Sequence, residues 1–147
     1  MTDEQLVRNL NGYLADQMVV YVKLRNYHWN ITGPRFFNIH NLTEEYYEQL
    51  ADMVDEIAER IRQLDATPLS TMESYLGHAS LTEEEGTEFT AEVVVERLLG
   101  DFQTLLSNAK GILAQAEEAD DPATADVVGE QIGWLEETIW MLKAFLG

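Results

Sequence analysis

The chain has no cysteine. That excludes a disulfide scaffold, thiolate metal ligands and thiol catalysis. Cations are scarce: Lys23, Lys110 and Lys143 are the only lysines, and Lys plus Arg total 9 against 27 Asp plus Glu. The formal net charge is −18 over 147 residues. Binding to a phosphate backbone needs clustered Lys and Arg. The arginines are scattered and neither end is a basic tail, so generic nucleic-acid binding is disfavoured. No apolar run approaches the ~20 residues of a membrane span. The start, Met1-Thr2-Asp3-Glu4-Gln5, is acidic and unlike a secretory signal, so a cytoplasmic protein is expected. Proline is also rare, at positions 34, 68 and 122 only.

What is present reads as helix. The hydrophobic share of 46% is that of a globular protein. Thr2-x-x-Gln5 resembles a capping box opening a first helix. Its apolar stripe is Leu6, Leu10, Leu14, Tyr21 and Leu24, and Thr32-Gly33-Pro34 ends it. A second helix is expected from about Phe36 to Leu64, broken by Asp65-Ala66-Thr67-Pro68. A short helix near Ser70 to Gly77 follows. A third long helix, capped at Thr82 or Thr87, carries Phe89, Val93, Phe102, Leu105, Leu106, Ala109, Ile112 and Leu113. Asp121-Pro122 opens the last helix, with Asp as N-cap and Pro at the first helical position. That helix places Val128, Ile132, Leu135, Ile139, Leu142 and Leu146 on one stripe. No strand-like alternation competes. Four long helices in one short chain define a four-helix bundle. The stretch 65–86 is long enough to run the bundle's length, and one such crossover is the ferritin-like topology. The expectation is therefore all-α: a single ferritin-like domain over residues 1–147, with a short helix in the crossover.

The second helix has two faces. With about 100° per residue, Tyr46, Leu50, Met53, Ile57, Ile61 and Leu64 form a core stripe. On the same wheel His40, Glu44, Asp55 and Glu59 fall at about 0°, 40°, 60° and 100°, on another face. A solvated acidic face with a stray histidine is the plain alternative. Against it stand two i,i+4 pairs, His40/Glu44 and Asp55/Glu59, which are neighbours on a helix surface. Imidazole and carboxylate together suit a first-row divalent metal such as iron or zinc. The surroundings of the first pair are apolar and aromatic: Phe36, Phe37, Ile39 and Tyr47. Positions 40 and 55 lie about 22 Å apart along the axis at 1.5 Å per residue, so one helix cannot bring both pairs to one metal. Two antiparallel copies about a two-fold axis can, and such a dimer makes two sites.

His28 is in phase with the first helix's stripe and is a further ligand candidate; a buried histidine bonded to backbone or to a carboxylate is the alternative. The short turn makes the first two helices antiparallel neighbours. His28 and His40 flank Pro34 symmetrically and can sit at one height. Metal held inside one such bundle uses Glu-x-x-His motifs, and none occurs here. Bound iron is therefore expected between subunits.

The run Asn26-Tyr27-His28-Trp29-Asn30-Ile31-Thr32-Gly33-Pro34-Arg35-Phe36-Phe37, followed by His40, closely resembles the mini-ferritins of the Dps family. So do Asp55-Glu56-Ile57-Ala58-Glu59-Arg60 and the closing Trp140 to Gly147 segment, and the likeness covers essentially the whole chain. The resemblance implies a hollow dodecameric shell with ferroxidase centres at two-fold interfaces. It implies that His28 and His40 of one subunit join Asp55 and Glu59 of its partner. Members of the family oxidise Fe(II), usually with hydrogen peroxide and otherwise with dioxygen, and store the ferric product. That limits hydroxyl-radical damage. Glu44 stands where the family commonly has Asp, so it either ligates directly, acts through water, or stays behind the ligands. Trp29 lies beside the centre in such proteins, where it hydrogen-bonds a ligand or traps an oxidising equivalent, serves as an aromatic packing residue, or does both.

Family shells also have acidic pores near the start of the last helix. Here Asp126 and Glu130 match, with a solvated face as the alternative. Some members bind DNA through Lys-rich tails, which this sequence lacks. A DNA-coating nucleoid protein and a zinc-binding shell without redox turnover are the other readings. Trp134 and Trp140 are expected in the core, and His78 on the surface.

Overall fold

The computed structural model describes residues 4–147; Thr2 of the expected capping box lies outside the described residues. Among the described residues five helices run α1 (Glu4–Asn30), α2 (Phe36–Gln63), α3 (Met72–His78), α4 (Ala91–Glu118) and α5 (Pro122–Leu146). The four long ones form the bundle, with α1 packed on α2 and α4 on α5. The stripes expected from the sequence form its core: Leu6, Leu10, Leu14 and Leu24 of α1, and Tyr46, Leu50, Met53, Ile57 and Ile61 of α2, are buried. Burying each such side chain contributes about 1.5–3 kcal/mol. Tyr46 of α2, Phe102 of α4 and Trp134 of α5 meet edge to face, with centroids 5.4 to 5.7 Å apart. A polar network crosses the same core. The Tyr13 hydroxyl and Gln17 amide of α1 donate to Gln131 Oε1 of α5 at 2.8 and 3.0 Å, and the Gln131 amide donates to the Met53 carbonyl of α2 at 3.1 Å.

The α1–α2 turn needs Gly33. Its φ of +115° is a conformation open to glycine and costly for other residues. The α4–α5 turn follows the expected Asp-Pro start. Asp121 accepts from the Thr124 N–H at 3.0 Å and the Thr124 hydroxyl at 2.6 Å, and Arg60 near the end of α2 donates to it at 3.0 Å. Burial pushes the Asp121 carboxyl up, but the Thr124 donors and Arg60 outweigh it and hold it below the usual carboxylate range. Arg35, just before α2, pairs with Glu92 of α4, and its guanidinium stands 4.7 Å from the Phe145 ring centre of α5.

The crossover is longer than expected. The caps proposed at Thr82 and Thr87 are not caps: α4 starts at Ala91, with Thr90 accepting from Val93 N–H at 3.3 Å. The reason is tertiary. Asp16 of α1 accepts from the Ser80 N–H and hydroxyl and the Leu81 N–H at 2.7, 2.8 and 3.0 Å. Lys23 donates to the Thr82 carbonyl, and Asn26 to the carbonyls of Glu84 and Gly86. Phe89 forms a parallel bridge with Ile31 and is not on the helix. The crossover is thus stitched in extended form along α1. Lys23 also meets Asp101 of α4 at 2.7 Å. Burial drives the Asp101 carboxyl above its ordinary value, against the pull of Lys23. The short helix falls at Met72–His78, with Thr71 as its cap. Two core assignments on α5 fail: Trp140 and Leu146 are exposed. His78 is exposed, as expected.

Candidate metal centre

His28 sits in the last turn of α1 and His40 in the second turn of α2. The Gly33 turn brings them face to face. Their rings stack with centroids 3.7 Å apart and planes 16° apart. Each ring holds the other residue's backbone: His28 Nδ1 lies 2.7 Å from the His40 carbonyl, and His40 Nδ1 lies 2.8 Å from the His28 carbonyl. A carbonyl only accepts, so both Nδ1 atoms carry the proton. Each Nε2 keeps its lone pair, and among the described residues neither has a hydrogen-bond partner. The His40 bond also satisfies a carbonyl in the last turn of α1, which the helix itself leaves unpaired. Orienting a histidine through its other nitrogen is how proteins prepare an imidazole for metal.

Aromatic rings hold this pair. Phe36 stacks on His40 at 5.0 Å, and Tyr47 meets His28 edge-on at 5.3 Å. Arg25 places its guanidinium 3.8 Å above the Tyr47 ring centre and donates to the Tyr21 hydroxyl at 2.9 Å. The Tyr47 hydroxyl reaches Glu44 Oε1 at 3.4 Å, so Glu44 leans along this aromatic wall. His28 is buried and His40 half-buried, while Glu44, Asp55 and Glu59 are exposed. Trp29 is 66% exposed and Phe37 75%. Large exposed apolar side chains close to His28 and His40 in the chain mark a surface suited to a partner.

Asp55 lies about 22 Å and Glu59 about 28 Å along α2 from His40. Among the described residues no three of His, Asp and Glu converge within one chain. The donor set in one chain is therefore split into an imidazole half, where His28 of α1 meets His40 of α2, and an exposed carboxylate half further along α2. Asp126 and Glu130 are exposed in the first turns of α5. Asp126 joins Glu117, Asp120 and Asp121 around a depression of about 330 Å³ at the α4–α5 turn. Glu130 is not part of it. Its charge acts instead on Glu56, whose carboxyl is raised first by burial, then by Glu130, Asp52 and Asp55.

Thr43 and Arg25 are contributors that sequence reasoning passed over. The only signal for Thr43 was its position three residues after His40 on the side facing α1; nothing distinguished Arg25.

Helix order and the single crossover define a ferritin-like domain, and the ferritin-like domain family matches residues 7–147. The "DNA protection during starvation protein" of Brevibacillus brevis is 41% identical, over 93% of this chain and 91% of its own length. The crystal structure of a Dps protein from Bacillus brevis superimposes with a TM-score of 0.94 at 38% identity, covering 100% of both chains. The Dps protein of Vibrio cholerae O1, described as a member of a broad superfamily of ferritin-like diiron-carboxylate proteins, gives 0.95 at 35% identity, over 98% of this chain and 90% of that one. The chain belongs to the Dps family. No helix among the described residues is long and apolar enough to cross a membrane.

Proposed function

We propose that this chain is a ferroxidase that oxidises Fe(II), with hydrogen peroxide or dioxygen as oxidant, at centres shared by two subunits. It stores the ferric product in a hollow dodecameric shell in the cytoplasm, and so protects the cell from oxidative damage. The whole chain, 1–147, acts as one domain. Each centre takes His28 and His40 from one subunit and Asp55 and Glu59 from its two-fold partner. Glu44 stands beside the histidines, and Trp29 flanks the site. The observation that carries this is the split donor set: two imidazoles with Nδ1 tied to backbone and Nε2 free, and two carboxylates too distant to join them within one chain.

The donors fit the substrate. Neutral imidazole and carboxylate together suit Fe(II), and the added negative charge favours the Fe(III) product. With peroxide the balance is 2 Fe(II) + H2O2 + 2 H⁺ → 2 Fe(III) + 2 H2O. Both electrons of the oxidant's O–O bond cleavage come from iron, so no hydroxyl radical is released. The chain's own part is to hold Fe(II) at fixed nitrogens and oxygens and to exclude bulk water with Phe36, Tyr47 and Trp29. Asp126, with Glu130 a turn further on, supplies a negative potential for cation uptake when copies meet about a three-fold axis. Zinc accepts the same donors, so a zinc-holding shell is the competing reading. DNA coating is opposed by the net charge of −18.

The test is an anaerobic Fe(II) titration of the assembled protein, followed by peroxide. Wild type should bind Fe(II) and consume peroxide at one per two iron atoms. The variant carrying His28→Ala and His40→Ala should assemble normally and lose the reaction. An unchanged rate in that variant would sink the site, and zinc binding without peroxide consumption would favour the competing reading.

A further inference from the structure

Thr43 lies one turn beyond His40 on α2 and is fully buried. Its hydroxyl has one hydrogen, and two carbonyls of its own helix share it: Ile39 at 2.8 Å and His40 at 3.0 Å. The oxygen's lone pairs are left facing away from those carbonyls. There they meet His28 Nδ1 at 3.2 Å. The Nδ1–H of His28 thus points between two acceptors, the His40 carbonyl at 2.7 Å and the Thr43 hydroxyl.

A histidine ring has two near-equivalent settings, related by half a turn about Cβ–Cγ. In the other setting a carbon-bound hydrogen would face both acceptors, and the nitrogens would exchange places with carbons. With one acceptor the cost of that turn is one hydrogen bond; with two it is both. The ring stack on His40 does not discriminate, since both settings are flat against it. Tyr47, edge-on, does not discriminate either. Choice of setting falls to the polar pair.

We propose that Thr43 is a positioning residue of the metal centre, acting with the His40 carbonyl to lock the His28 ring in the setting that leaves Nε2 for metal. This rests on the ferroxidase reading for its use, but the ring setting itself is a property of the metal-free protein. Thr43 also explains how α1 is registered on α2 at the site. The hydroxyl takes its orientation from α2 and imposes it on a ring from α1.

The test compares Thr43→Val, which keeps the shape and loses the hydroxyl, with Thr43→Ser, which keeps the hydroxyl. Thr43→Ala, which cannot clash, replaces the Val variant if that fails to assemble. Two readouts are taken on assembled protein: zinc affinity by calorimetry, and the His28 setting in crystals of the metal-free variants. The Val variant should bind zinc about 10- to 100-fold more weakly, the usual cost of losing a group that orients a ligand, and its His28 ring should be turned or mixed. The Ser variant should restore both. Wild-type affinity or a single unturned ring in the Val variant overturns the proposal, as does failure of Ser to rescue. If wild type itself binds neither zinc nor Fe(II), the ferroxidase reading falls instead, and the ring setting still decides the role of Thr43.

Discussion

A shared centre can be tested by mixing two broken subunits. Let one variant carry His28→Ala with His40→Ala, and another carry Asp55→Asn with Glu59→Gln. Each keeps half of the donor set, and Asp55 sits about 22 Å along α2 from His40. Assembled alone, neither has a complete centre. In a mixed two-fold pair, one centre combines both defects and is empty. The other takes intact histidines from one subunit and intact carboxylates from its partner. Random pairing of equal amounts makes about half of all pairs mixed, with one of two centres whole in each, so about one quarter of wild-type centres return. The assay is peroxide-driven Fe(II) oxidation in shells reassembled from mixed, dissociated subunits, with each parent as control. Recovery near one quarter, from parents near zero, is the expected result. Mixed shells no more active than the parents would refute the shared centre, since ligands drawn from a single chain cannot complement.

Two further outcomes concern the frame that carries the centre. Asp16→Ala strips a buried carboxylate that accepts four hydrogen bonds, including one from Asn108 at 3.1 Å, and leaves two crossover N–H groups unpaired. It should cost about 3 kcal/mol, read as a lowered urea midpoint with faster proteolysis between α3 and α4; an unchanged midpoint would contradict the stitching. Asp121 has a depressed carboxyl in the fold. Its contribution is therefore full above the unfolded value near 3.9 and fades as pH falls through the lower folded value. Asp121→Ala should destabilise by about 1 kcal/mol at pH 7 and by progressively less below pH 4, so equal losses at pH 7 and pH 3 would count against the charge-based cap.

The bundle was legible where periodicity and punctuation agree. Pro34, Pro68 and Asp121-Pro122 bound segments whose apolar stripes repeat every three or four residues, and the two faces of α2 separate on a wheel alone. The start of α4 was not. Thr82 and Thr87 look like caps locally, but the backbone around them is already engaged by Asp16, Lys23 and Asn26, far away in sequence. Trp140 and Leu146 read as core because α5 is apolar nearly all round, and a stripe that broad does not say which edge is covered. His28 invited two readings, buried structural histidine or ligand donor. The geometry satisfies the first through Nδ1 and leaves Nε2 open to the second. The clasp between the two rings and the hydroxyl of Thr43 depend on backbone carbonyls, which no side-chain pattern announces.

The stitching of the crossover along α1 also sets a timetable. The hydrogen bonds from α1 to residues 80–86 close loops of 57 to 65 residues, whereas Tyr13 and Gln17 wait 118 and 114 residues for Gln131. At ~5–20 residues per second of synthesis, the crossover reaches its anchors roughly 3 to 13 seconds after they emerge. The paired histidines and the carboxylate half of α2 belong to the part of the chain finished first. A nascent subunit therefore carries both halves of its contribution, and every crossover partner of α1, before the sequence of its last two helices is complete.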